Sequence, residues 1–206
     1  MKLGKFIVFE GNEGTGKSTH IRLLSEYLDS KNCKHIVTRE PGGTKVGEKI
    51  REILLDTKSD LDPLSEALLF YSSRIINYQS TILKSLKMGV NVICDRFHFS
   101  TLVYQGLSQN CKEVENLHSS LDNFFSEHIS LVIYLDADIE TCLRRLNNRK
   151  TTDKFEAKGE EFLKIIRDSY KKVLKGNKKV VTVDTSKSLN KVSLIIQNHV
   201  AEIMDV

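Results

Sequence analysis

Residues 9–19 read FEGNEGTGKST, and Gly11 to Ser18 match the spacing GxxxxGK[ST]. That spacing is a phosphate cradle when a strand precedes it and a helix follows. Gly11, Gly14 and Gly16 let backbone N–H groups turn inward, and Asn12, Thr15 and Thr19 complete the loop. Lys17 is placed to reach β and γ phosphates, and the Ser18 hydroxyl is a ligand for Mg²⁺. The chemistry is nucleoside triphosphate binding. One residue opposes it: Glu13 sets a negative charge inside a loop built for anions.

A second group of residues suits an anionic, aromatic acceptor. Asp95 and Arg96 end an apolar run, where open α/β sheets bind ligands. Such a pair serves equally as a structural ion pair or as a phosphate clamp, with Arg96 on phosphate and Asp95 on Mg²⁺ through water or on Arg96 itself. TREPGGT (38–44) supplies Arg39 and Pro41. Phe70 and Arg74 are four residues apart, so a helix puts both on one face. An aromatic plane beside a guanidinium can stack on a nucleobase and hydrogen-bond it, although core packing is the commoner fate of a helical aromatic. STLVYQG (100–106) adds Ser100, Thr101, Tyr104 and Gln105, and reads equally as an ordinary polar helix start.

Positioning these groups takes alternating strands and helices. Residues 6–9, 35–38, 90–94, 131–135 and 180–183 are short apolar runs that predict five strands buried on both faces. Helical patterns fall at 17–28, 45–55, from Pro63 to about 87, and at 139–146. Phe162, Ile165, Ile166, Val173 and Leu174 make one later stripe, and Val192, Ile195, Ile196, Val200 and Ile203 another. The expected fold is a three-layer α/β P-loop NTPase domain, a five-stranded parallel sheet flanked by helices, over residues 1–206. The cationic stretch 147–159 is either a lid over the site or a solvated connection between helices.

Bulk properties narrow the class. The chain has 206 residues, 40% hydrophobic and 28% charged, and a formal net charge of +4. That excess is too small to predict nucleic-acid binding. Cys33, Cys94, Cys111 and Cys142 include no CxxC pair, so reduced thiols in the cytoplasm and no zinc site are expected. The apolar run at residues 6–9 is too short for a signal peptide, and no run has membrane-spanning length. Asn177-Lys178 is followed by Lys179-Val180, without the Asp of a guanine-reading element, which argues against a GTPase.

FEGNEGTGKST, TREPGGT, FYSSR, DRFHFSTLVYQG and RRLNNRKTTDKFE follow one another in this chain. In that order and spacing the chain resembles the bacterial thymidylate kinases. The resemblance implies phosphorylation of dTMP to dTDP with Mg-ATP, for dTTP synthesis, by a cytoplasmic homodimer that contacts neither membrane nor nucleic acid. It implies that Phe70 stacks on thymine and Arg74 hydrogen-bonds it. Arg39, Arg51 and Arg96 would hold the dTMP phosphate. Ser100, Thr101 and Gln105 would line the base pocket, and Tyr104 would crowd the sugar C2′. Glu13 would accept a hydrogen bond from the sugar 3′-OH, and a cis peptide would precede Pro41. Lys17, Asp95, Arg96 and a lid arginine, Arg149 ahead of Arg145, Lys150 or Lys154, would serve catalysis. The chain departs from the pattern at Lys154, where bacterial members of the family often carry arginine. A kinase for another nucleotide or a deoxynucleoside is the nearest alternative, and a P-loop regulatory ATPase the more distant one.

Overall fold

The computed structural model describes residues 3–147, 155 and 159–204. Five parallel strands stand in the order β2-β3-β1-β4-β5: β1 (Phe6–Gly11), β2 (His35–Arg39), β3 (Asn91–Asp95), β4 (Ile129–Asp136) and β5 (Val180–Asp184). The three inner strands are almost fully buried, whereas β2 and β5 are half-exposed edges rather than strands covered on both faces. Chain order reverses at β1, whose neighbours are β3 on one side and β4 on the other. Ligands of open α/β sheets bind at such a switch point, beyond the carboxyl ends of the strands.

Helices α1 (Lys17–Ser30) and α9 (Leu189–Met204) cover one face of the sheet. Ile21, Leu24, Leu28, Val192, Ile196 and Val200 pack there against Ile7, Phe9 and Ile133. The other face carries the larger core, in which Phe6, Val8, Val92 and Val132 meet an aromatic cluster. Alternate residues of β1 thus enter opposite cores, as strand periodicity requires.

Local chemistry sets the helix starts. Thr44 accepts from Gly47 N at 2.9 Å to open α2 (Lys45–Leu55). Asp62 caps α3 (Pro63–Asn77), with Pro63 at its first position, where a missing N–H costs nothing. The long helical run expected from Pro63 to about residue 87 is present but interrupted. A π-helical turn at Tyr78–Ile82 separates α3 from α4 (Leu83–Lys87). A second interruption follows α5 (His98–Thr101), at Leu102–Leu107. Single π-turns mark functional segments more often than chance, and this one carries Tyr104 and Gln105.

Helix α6 (Lys112–Ser126) has no counterpart among the sequence expectations. Val114, Leu117, Leu121 and Phe125 nevertheless recur at helical spacing, Val114 buried and the other three packed in the larger core, so this stripe was legible in the sequence and was overlooked. Phe125 sits at the centre of the aromatic cluster. Its ring lies 5.4 Å from Phe97, 5.6 Å from Tyr78 and 5.9 Å from Tyr71. Helices α7 (Ile139–Asn147) and α8 (Gly159–Leu174) flank segment 147–159, most of which lies outside the described residues.

Truncating a fully buried aromatic removes its burial and leaves a cavity, at a cost of ~3–5 kcal/mol. Phe125→Ala is expected to lower unfolding stability by that amount in urea denaturation. A loss below ~1 kcal/mol would show that α6 adds little to the core.

Candidate active site

One cavity opens beyond the ends of β1, β2 and β3. It is lined by Glu13, Gly14, Gly16, Lys17 and Ser18 from the phosphate loop, and by Arg39, Pro41 and Arg51 around β2 and α2. Phe70 and Arg74 enter from α3, Asp95 from the end of β3, and Arg96, Ser100, Thr101, Tyr104 and Gln105 from the segment after it. Eleven residues expected on the acceptor side therefore share one space. Gly11, Asn12, Thr15 and Thr19 are not among the lining residues.

Loop curvature brings the phosphate cradle close to α7. Gly14 has φ +77°, and a Cβ there would meet Cys142 O at 2.6 Å, so only glycine fits. Thr15 Oγ1 donates to Asn12 O at 2.8 Å, and Asn12 Nδ2 donates to Leu163 O on α8 at 2.8 Å. These two side chains brace the loop from behind. Lys17 Nζ donates to Gly11 O at 2.9 Å and Asn12 O at 2.7 Å. Burial, with Arg96 nearby, pushes the Lys17 ammonium down to about 8.

Glu13 turns toward the acceptor side. Its Oε1 lies 2.7 Å from Arg96 Nη2, and Tyr104 OH donates to its Oε2 at 2.6 Å. Burial works to raise this carboxyl, but Arg96 and Lys17 prevail and hold it below its ordinary value. The loop's negative charge is thus neutralised by the cations on either side of it.

Arg96 has φ +69°, a left-handed backbone that a non-glycine residue adopts only under constraint. The constraint is visible. Arg96 N donates to Phe9 O at 2.8 Å, and Phe97 N donates to Glu10 Oε1 at 2.9 Å. Glu10 is fully buried, and burial raises its carboxyl. Its Oε2 accepts from Ser100 Oγ at 2.6 Å and from Tyr170 OH at 2.9 Å. Tyr170 OH in turn accepts from Arg96 Nη1 at 3.0 Å.

The wall after β2 is tied down as firmly. The Glu40–Pro41 peptide is cis. Gly42 N donates to Ser73 Oγ at 3.1 Å, and a Cβ on Gly43 would meet Thr38 Oγ1 at 2.4 Å. Arg51 Nη1 donates to Pro41 O at 2.9 Å, while Arg39 pairs with Glu48 at 3.1 Å near the surface. Arg74 is buried. It donates to Glu40 Oε2 at 2.5 Å, Thr101 Oγ1 at 2.9 Å and Phe97 O at 3.1 Å. Burial pushes Glu40 up to about 7 against the pull of Arg74.

Arg145 is structural among the described contacts. It donates to Gly14 O at 3.2 Å and to Thr185 O at 2.8 Å, joining the phosphate loop to the end of β5. Arg149, Lys150 and Lys154 lie outside the described residues. Sequence reasoning missed Phe155, Leu55, Glu40, Glu10, Glu66 and Tyr170. Phe155, the aromatic in the polar stretch 147–159, is the one with a visible signal. Its ring is 6.3 Å from Phe70 and 5.7 Å from Tyr104, and it closes the cavity between them.

A P-loop at the switch point, facing an acceptor cavity with an aromatic wall and several guanidinium groups, defines the class: a P-loop nucleotide kinase. The family model described as thymidylate kinase matches residues 9–196. The chain is 42% identical to a thymidylate kinase of Thermosipho africanus over 91% of this chain and 92% of that one. It is 37% identical to those of Francisella tularensis subsp. novicida, over 95% and 96%, and Francisella philomiragia, over 98% of each. The chain belongs to the thymidylate kinase family.

The lowered Lys17 makes triphosphate binding pH-dependent. A free ammonium at about 8 must stay protonated to hold phosphate, and bound phosphate raises it. Affinity is therefore nearly full at pH 7 and falls as pH rises through about 8. Titration calorimetry is expected to show ATP binding weakened about tenfold from pH 7 to pH 9 with net proton uptake. A flat profile would mean that Lys17 stays charged throughout.

Proposed function

We propose that this chain transfers the γ-phosphoryl group of ATP to dTMP, with one domain, residues 1–206, carrying both sites. An oxygen of the dTMP phosphate attacks the γ-phosphorus, the β–γ bridging bond breaks, and ADP and dTDP leave. The observation that carries this reading is the cavity itself, where Glu13 joins the phosphate loop to Arg96 and Tyr104 on the acceptor side.

The protein's work in such a reaction is positioning and charge stabilisation. The phosphate loop, Gly11 to Thr19, holds ATP, with Lys17 on its β and γ phosphates. Arg39, Arg51 and Arg96 hold the acceptor phosphate. Arg96 leaves its pairing with Glu13 in part to do so, and the sugar 3′-OH takes its place as donor to Glu13. Phe70 stacks on the base, with Phe155 packed beside that ring. Arg74 and Gln105 meet the base edge, Ser100 and Thr101 sit behind it, and Tyr104 crowds C2′. Arg149 in segment 147–159 supplies a further cation when that segment covers the site, and excluding water there limits ATP hydrolysis.

The Ser18 hydroxyl and the Asp95 carboxylate line the same cavity. Oxygen donors of this kind suit Mg²⁺, which prefers oxygen ligands and keeps several waters. When bound, the ion offsets charge on the polyphosphate. Among the described residues no helix is long and apolar enough to cross a membrane, and all four cysteines are free thiols. A cytoplasmic enzyme is consistent with both. Half-exposed Leu68 on α3 and Ile53 on α2 support pairing of two copies through these helices.

An ADP-release assay with Mg-ATP tests the reading against dTMP, dUMP, dCMP, dGMP, AMP, UMP, thymidine and no acceptor. Turnover with dTMP well above all others is expected. The 5-methyl group is worth ~1–3 kcal/mol in an apolar pocket, so dUMP is a poor substrate rather than an excluded one. Turnover of thymidine without dTMP, or hydrolysis indifferent to acceptor, would contradict the proposal.

A further inference from the structure

Two buried side chains meet at the cavity wall, Gln105 lining it and Glu66 behind it. Glu66 lies one helical turn before Phe70 on α3 and is 3% exposed. Gln105 Nε2 donates to Glu66 Oε2 at 2.8 Å. A carboxylate oxygen only accepts, whereas a glutamine amide has one donor end and one acceptor end. The bond therefore sets the sense of the amide. Its NH₂ is directed at Glu66, and Oε1 is turned the other way. Gln105 lines the cavity, and among the described residues nothing donates to its Oε1.

Arg74 completes the pattern. Three of its N–H groups go to Glu40, Thr101 and the Phe97 carbonyl. A guanidinium has five, so donors remain on a residue that lines the same cavity. The wall thus offers an acceptor and a donor in fixed roles.

We infer that Glu66 is a specificity-setting positioning residue, which holds the Gln105 amide so that its oxygen, beside the Arg74 donors, selects a pyrimidine with an N3–H next to a C4 carbonyl. This rests on the dTMP reading of the site. Thymine and uracil carry that pair. Cytosine inverts it, setting its N3 lone pair against Oε1 and its N4 amino group against Arg74. A buried site built for one hydrogen-bond pattern rejects its inverse strongly, because both members are left unpaired.

The test is the ratio of kcat/KM for dTMP to that for dCMP in the wild type, Glu66→Gln and Glu66→Asp. Glutamine at 66 keeps the shape but can donate as well as accept, so the Gln105 amide is free to turn over. Aspartate keeps the acceptor-only character. The ratio is expected to fall at least about tenfold in Glu66→Gln and to stay within about threefold of wild type in Glu66→Asp. An unchanged ratio in Glu66→Gln overturns the inference, as does an equal fall in both variants, which would trace to lost packing. Wild-type protein without dTMP turnover overturns the reading of the site first, and this inference with it. If circular dichroism shows Glu66→Gln unfolded, Gln105→Met decides: the ratio should fall likewise, and a retained ratio overturns the inference.

Discussion

A carboxylate inside an anion-binding loop must be neutralised, and the site is arranged around that requirement. Glu13 meets Arg96 at 2.7 Å and Tyr104 at 2.6 Å, with Lys17 acting from the other side. Breaking such a pair in a buried site would leave an uncompensated charge, which costs several kcal/mol, of order 3–5. The pair therefore ties the loop after β1 to the residue after β3. Those strands are hydrogen-bonded neighbours, with Phe9 beside Asp95. Sheet register thus sets the separation of the two halves of the site.

A second carboxylate holds this arrangement from below. Glu10, one strand position before the loop, gathers the Phe97 N–H, the Ser100 hydroxyl and the Tyr170 hydroxyl. These contacts keep Arg96 in a backbone conformation it would otherwise leave. Tyr170 lies on α8, the helix entered from segment 147–159. Asn12 also reaches α8, through Leu163 O. Helix α8 is thereby braced against both the phosphate loop and Arg96.

Strands and glycine loops were readable because their signals are local. Apolar runs give the sheet, and GxxxxGKS between a strand and a helix needs no distant information. The five strands accordingly lie where the apolar runs are, with ends shifted by a residue or two. The unread features are tertiary. Helix α6 is the exception, since Val114, Leu117, Leu121 and Phe125 already recur at helical spacing; only the central place of Phe125, among Phe97, Tyr71 and Tyr78, needs the fold. Glu10 directly follows the apolar run 6–9, and no local pattern says that Ser100 and Tyr170 will satisfy it. The spacing of Phe70 and Arg74 marks Arg74 as a base contact, but its shortest ion pair is to Glu40, from the loop after β2. Types and spacing reveal candidate ligands, while the partners that orient them depend on the completed fold.

The central claim is that Glu13 serves the acceptor side of a phosphate loop. The most direct measurement compares dTMP with its 3′-deoxy analogue as substrates for wild type and Glu13→Gln. The account predicts that the wild type prefers dTMP in kcat/KM and that Glu13→Gln largely loses this preference, with ATP affinity little changed. Equal discrimination by both proteins, or parallel loss of ATP and dTMP affinity, would contradict it and return Glu13 to the phosphate loop as a structural residue.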